Sequence, residues 1–390
     1  MSADLIDIAA LAEERSSVTR ALMRDRGLDH LLLGTPDNIR YVSDARTLLI
    51  NESADWVLAL FDGDGQTDIF APWVKEKVDT PYPQLAGVRS LRPVPGWVPI
   101  MAEPEYLIRA LSEALRAAGA RSVGYDAVHP ELIPELSRAL PGVEFRFVGN
   151  DLFRARGVKS AAEIALMEHA HLGNLAALEK AWSVAAPGAR DFDLLAASLS
   201  QMQHDGAELI THFTCSVRPD FGVWHPVGKE IHEGDAVFID QVYYGPGGYA
   251  SDLTRTVFVG EPPAEVLAAY GRLIEARRVV EQAARPGVAV WELDELMNRE
   301  LERMGLGPSP YALGHGIGLR VCEPPALTEQ GMVGRDVRLE AGQTVALEPE
   351  TVFLHRGTPV VLKIEDCFVV EDAGLRGLGP LASADDCVIA

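Results

Sequence analysis

Glu365 lies inside VVLKIEDCFVV, an almost wholly apolar stretch that reads as a buried strand. A carboxylate there is costly unless something opposes its charge, so the fold must bring it a partner. Four more residues stand in comparable apolar or glycine-rich contexts: Asp240 (FIDQ), Asp252 (SDLTRT), His315 (GHGIGL) and Glu348 (ALEPE). Asp240 ends an apolar strand, and Asp252 lies on the return strand after a Gly-Pro-Gly-Gly turn. Hairpin pairing puts such residues at neighbouring positions on one face, where two carboxylates repel unless a cation lies between them. Taken singly, each residue has a plain reading. The aspartates could be solvated strand ends, the histidine could be structural, its flanking glycines admitting close backbone, and the glutamate could face outward from an edge. Taken jointly and in this order, the plain readings lose their force, and the set offers the several oxygens and the imidazole that a pair of divalent ions needs. Two ions a few Å apart can make and aim a hydroxide at neutral pH.

Around these positions the pattern alternates and then changes. A helix over 4–27, a strand over 29–34, a turn at 35–38 and two strands around the Asp-Gly-Asp-Gly turn within 56–72 are predicted. A helix over 104–118, a strand over 122–126, a helix near 130–140 and a strand over 143–148 follow, an α/β alternation with a mixed sheet. Ser160-Ala-Ala-Glu163 is a capping-box signature opening a helix to about 185, which Pro187-Gly188 ends. Then come a helix over 192–204, strands over 209–217 and 235–244, the turn at 245–248 and a strand through 260. Helices over 263–285 and 291–304 precede strands to the end. Helices grouped beside antiparallel strands mean α+β. The texture changes at 150–158, which divides the chain into domains of 1–155 and 156–390.

Net charge is −22 over 390 residues. This argues against a nucleic-acid backbone or an anionic membrane as partner. No apolar run is long enough to span a bilayer, and the acidic start lacks the basic-then-apolar layout of a signal peptide. Cys215, Cys322, Cys367 and Cys387 show neither metal-motif nor disulfide spacing. A cytoplasmic home is expected.

The segments GVKSAAEIALMEHA (157–170), GDAVFID, GGYASDLTRTVFVG, GHGIGL, LEPE and KIEDCFVV together resemble the pita-bread metallopeptidases. That family includes Xaa-Pro aminopeptidase, Xaa-Pro dipeptidase, methionine aminopeptidase and the metal-free creatinase. The first 150 residues resemble the smaller α/β creatinase-type N-terminal domain, with NIRYVSD (38–44) the most similar stretch. The resemblance implies two divalent ions, of manganese, cobalt, zinc or iron. Asp240 would bind one terminally, Asp252 and Glu365 would bridge both, and His315 and Glu348 would complete the second. A bridging hydroxide would attack an amide or C–N bond, and Glu348 would shuttle its proton. His225 resembles an upstream histidine that contacts substrate or leaving group. A homodimer is implied, with Arg40, Tyr41, Asp44 and Arg46 facing a partner's pocket, and the substrate would be a small molecule or short peptide.

The chain departs from the peptidases around the metal. Tyr311 stands where they carry a histidine four residues before the metal histidine, and Cys322 where they carry one seven residues after it. Lys363 stands where proline-specific members often have arginine, and Val352 where tyrosine is common. Histidine can donate a hydrogen bond and carry charge near neutral pH, whereas tyrosine donates without charge and cysteine donates weakly. Tyr311 is therefore a candidate catalytic donor, with Cys322, Lys363, Trp224 and Arg46 as substrate contacts. Cys322 reads more simply as a small buried thiol that fills space. The metal machinery is kept while the peptide-reading shell is rebuilt, which points to a small, unusual substrate. A different class of enzyme on the same scaffold is the alternative. The dimethylsulfoniopropionate lyases resemble this fold, keep the metals and perform a β-elimination, although an extra aspartate for that role is not evident here. A non-catalytic binding module is the least favoured reading, since all five ligands stand.

Overall fold

The computed structural model describes residues 7–45, 57–71, 87–94, 104–218, 225–333, 336–385 and 387–389. They form two compact units that divide between Arg156 and Gly157.

The first unit is built on a six-stranded sheet. Its strands are β1 (His30–Leu33), β2 (Leu58–Asp62), β3 (Thr67–Ala71), β4 (Val88–Pro93), β5 (Ser122–Tyr125) and β6 (Glu144–Phe147). The order is β4-β3-β2-β1-β5-β6. The β1–β2 and β2–β3 pairs are antiparallel and the others parallel, as the mixed-sheet reading requires. Every residue of β1, β2 and β3 is buried, which explains why His-Leu-Leu-Leu does not alternate. Helices Pro104–Ala117 and Leu132–Ala139 pack Leu111, Leu115, Leu132 and Leu136 against Leu32, Leu58, Phe70 and Val123.

Residues 35–38 are not a turn but the start of a helix, Pro36–Ser43. Proline at the first helical position has its φ already set. The carboxylate of Asp126 accepts from the Gly34 and Thr35 amides at 2.7 and 3.2 Å and from Asn38 Nδ2 at 2.8 Å. Arg156, from a helix over Gly149–Gly157 that the pattern also missed, donates to Asn38 and Asp37 at 2.6 and 2.7 Å. These anchors lie far along the chain, so local turn chemistry could not show them.

The second unit carries a hairpin sheet and a five-stranded sheet. Strands β7 (Leu209–Val217), β8 (Ala236–Tyr244) and β9 (Ala250–Val259) are antiparallel neighbours. The five-stranded sheet is made of β10 (Gly314–Gly316), β11 (Glu323–Leu327), β12 (Thr344–Leu347), β15 (Asp366–Glu371) and β16 (Gly374–Gly377). Their order is β11-β10-β12-β15-β16. Strands β13 (Glu350–His355) and β14 (Thr358–Lys363) form a hairpin, and β17 (Val388–Ile389) pairs with β9.

Helix Ala161–Trp182 begins with the expected capping box, Ser160 and Glu163 reciprocally bonded. It is stitched to the β8–β9 hairpin through buried amides. Asn174 Nδ2 donates to the carbonyls of Gln241 and Ser251 at 3.0 and 3.1 Å, and Gln241 Nε2 returns a bond to Asn174 Oδ1 at 2.8 Å. Helices Ala264–Ala283 and Val290–Arg303 bury Tyr270, Leu273, Leu293 and Met297 with Val345, Leu347 and Phe368. Among the described residues, no helix is long and apolar enough to cross a membrane.

Candidate metal centre

Strand parity builds the centre. On β8, Val237 and Ile239 join the core while Gln241 meets Asn174. Phe238, Asp240 and Val242 therefore share the other face and line a cavity of about 580 Å³. In register, Asp240 lies opposite Thr254 and Val242 opposite Asp252. The two aspartates are thus diagonal neighbours on one face, and a slip of one residue would turn both away.

Glu365 reaches the same place without belonging to a sheet. It exchanges backbone bonds with Thr254, and Thr254 Oγ1 donates to its Oε2 at 2.9 Å. His315 comes in on β10, flanked by Gly314 and Gly316. A Cβ at Gly314 would stand 2.0 Å from the Ala346 carbonyl oxygen, and one at Gly316 would stand 2.4 Å from that of Pro324. The glycines therefore admit the backbones on either side of β10 rather than giving room to the imidazole. His315 Nδ1 lies 3.0 Å from the Gly316 carbonyl. That oxygen can only accept, so Nδ1 carries the hydrogen and Nε2 is left to face the acids.

Atoms of ligand type on Asp252, His315 and Glu365 lie within 4.8 Å of one another. Asp252 Oδ1 and Glu365 Oε1 are buried and have no hydrogen-bond partner among the described residues. Such orphaned oxygens are expensive, and a divalent ion would satisfy both, so these residues fit the metal. His315 Nε2 also lies 3.7 Å from both Asp252 Oδ2 and Glu348 Oε1. Lys363 completes the cluster, with Nζ 2.5 Å from Asp240 Oδ2 and 3.0 Å from Glu348 Oε2.

Crowded, buried acids hold protons that they would shed in water. Burial, with Asp240 and Glu348 nearby, pushes the Asp252 carboxyl well above its usual range. Burial and the Asp252 charge do the same to Glu365. Burial pushes Glu350 up to about 7. At His315 burial opposes the imidazolium, but a hydrogen bond with Cys322 and the Glu348 charge outweigh it, raising the pKa to about 9. Burial likewise works against the Lys363 ammonium, and Asp240, Glu365 and Glu348 hold it charged.

All five expected ligands line the cavity, as do Tyr311, Cys322 and Lys363. Lys363 is paired with two of the acids at the cavity wall. His225 is exposed and is not among the lining residues. Trp224 and Arg46 lie outside the described residues. Arg40 donates to Asp44 at 2.8 Å, and the Arg15 and Arg156 guanidinium groups lie over the Tyr41 ring. Those residues of the NIRYVSD stretch are therefore bonded within the first unit. The sequence reading did not single out Thr254 or Glu350. Thr254 stands two residues beyond Asp252 on β9, and that same-face spacing was the signal, whereas Glu350 opens β13 just after Glu348, which lies between strands.

The sequence model of metallopeptidase family M24 matches residues 165–372, more than half of the chain, and the chain belongs to that family. A similar protein is the probable dipeptidase PepE of Mycobacterium tuberculosis, 37% identical over 148 residues. That match covers 37% of this chain and 37% of that protein. The Xaa-Pro dipeptidase of Pyrococcus furiosus is 26% identical over 377 residues, 94% of this chain and 97% of that one. Among solved structures, an Xaa-Pro dipeptidase from Bacillus anthracis superimposes with a TM-score of 0.77 at 22% identity, over 95% of this chain and 99% of that chain. Dipeptidase PepE from Mycobacterium ulcerans gives 0.75 at 25% identity, over 98% of each. The fold is the α+β pita-bread fold.

Proposed function

We propose that the chain is a metal-dependent hydrolase that cleaves an amide or related C–N bond of a small substrate, through a centre built for two cations. The observation that carries this reading is the convergence of Asp252, His315 and Glu365, with two buried oxygens left unbonded at the cavity. A divalent ion there supplies Lewis-acid polarisation and lowers the pKa of water to near neutrality. Manganese, cobalt, zinc and iron all suit this donor set.

The chain's own residues do the rest. Glu348 takes the proton of the attacking water and returns it to the departing nitrogen, leaving an acid and an amine. Tyr311, at the cavity wall, donates a hydrogen bond to the oxygen that gains charge. Phe238, Val242, Ala312 and Val321 form an apolar wall for the substrate's side chain. Cys322, beside His315, gives a smaller and less polar boundary than an imidazole.

The test is to incubate metal-loaded protein with Ala-Pro, with other small amides and with β-elimination substrates, using Asp252→Asn as the inactive control. Release of an amine and an acid from a small C–N substrate is expected. Turnover of Xaa-Pro dipeptides at ordinary enzymatic rates would refute the rebuilt substrate shell. Release of an alkene would replace hydrolysis by lyase chemistry.

A further inference from the structure

We infer that Lys363 is one of the two cations of this centre, so that the chain holds a single divalent ion, at Asp252, His315 and Glu365. The inference rests on the metal-dependent reading and deepens it by assigning the charges. Two features of the cluster support it.

The first is position. Lys363 Nζ lies 2.5 Å from Asp240 Oδ2 and 3.0 Å from Glu348 Oε2, joining one carboxylate from β8 to one that follows β12. A second metal bonded to Asp240 at about 2.0–2.2 Å would sit against that ammonium, and the two cations would repel. Nor is the lysine a surface side chain that has swung inward. Its side chain is 10% exposed, and its backbone is pinned to Thr256, whose Oγ1 donates to the Lys363 carbonyl at 2.7 Å and accepts from the Lys363 amide at 3.0 Å.

The second is the division of oxygens. Among the described residues lining this cavity, the buried carboxylate oxygens without a hydrogen-bond partner belong to Asp252 and Glu365. Asp240 and Glu348 are the acids that the ammonium engages. The demand for a metal is thus concentrated on one side of the cluster and met by an ammonium on the other.

The experiment measures occupancy rather than turnover. Chelator-stripped protein is loaded with manganese chloride and desalted. Bound metal per chain is then counted by elemental analysis, and the electron paramagnetic resonance spectrum is recorded. One manganese per chain, with the hyperfine pattern of an isolated ion, is expected. Lys363→Met should raise the count to two and produce the exchange-coupled spectrum of a close pair, while Lys363→Arg should keep it at one. Two ions per chain in the unaltered protein would overturn the inference and leave the metal-dependent reading standing. No bound ion would overturn both. If Lys363→Met does not fold, the count on the unaltered protein decides by itself.

Discussion

Glu365 is buried because its neighbours satisfy only part of it. Thr254 bonds one carboxylate oxygen and, among the described residues, none bonds the other, so the residue is poised for a cation. Glu365→Gln and Asp252→Asn keep the shape and remove the charge. Each is expected to abolish manganese binding in a calorimetric titration, and unchanged affinity would count against the whole centre. Thr254→Val removes only the orienting hydroxyl, and affinity should fall about 10–100-fold. Proton competition sets the pH dependence. The cation-free His315 is protonated below about 9 and Glu350 below about 7, and a metal must displace the His315 proton to bond Nε2. Affinity should therefore rise with pH from 6 to 9, with heat of binding that varies with buffer ionisation enthalpy because protons are released. Affinity independent of pH over that range would contradict these protonation states. That these five side chains line one cavity answers an expectation the sequence raised, because acids in apolar strands need an explanation. What Lys363 touches was not legible, since its partners Asp240 and Glu348 are set by how three strands meet.

Among the elements, β10 shows how a short strand can be indispensable. Its glycines bring backbone from both sides within reach of His315, and an added methyl at Gly314 would collide with the Ala346 carbonyl. Gly314→Ala should displace His315 and weaken metal binding at least about 10-fold, by analogy with the loss of an orienting group, while far-ultraviolet circular dichroism stays near that of the unaltered protein. The capping box at Ser160 and Glu163 opens the helix that braces the β8–β9 hairpin. Ser160→Ala should cost about 1 kcal/mol in urea denaturation. Periodic helices and the hairpin were readable because their signals are local. The helix at Pro36–Ser43 was not, because Asp126 and Arg156 hold it from about a hundred residues away. Strand β4 was also passed over, since Val-Arg-Ser-Leu-Arg-Pro at a sheet edge lacks an apolar run.

For the chain as a whole, binding at the centre is expected to stabilise the unit that contains it. At free manganese about 100 times its dissociation constant, linkage adds about 2.7 kcal/mol. Calorimetric melting should therefore shift upward with metal and back with chelator, and Asp252→Asn should show no shift. An equal shift in that variant would place the effect elsewhere. The sequence by itself determined the inventory, which acids and which imidazole had to meet, and the α+β class, because burying a charge and alternating apolar residues leave local marks; the likeness to the family was carried by its motifs. Only the tertiary structure decided the geometry among them. Which carboxylate oxygens end up bonded to an ammonium and which are left for a metal depends on distances between strands far apart in the chain, and no local pattern encodes those distances.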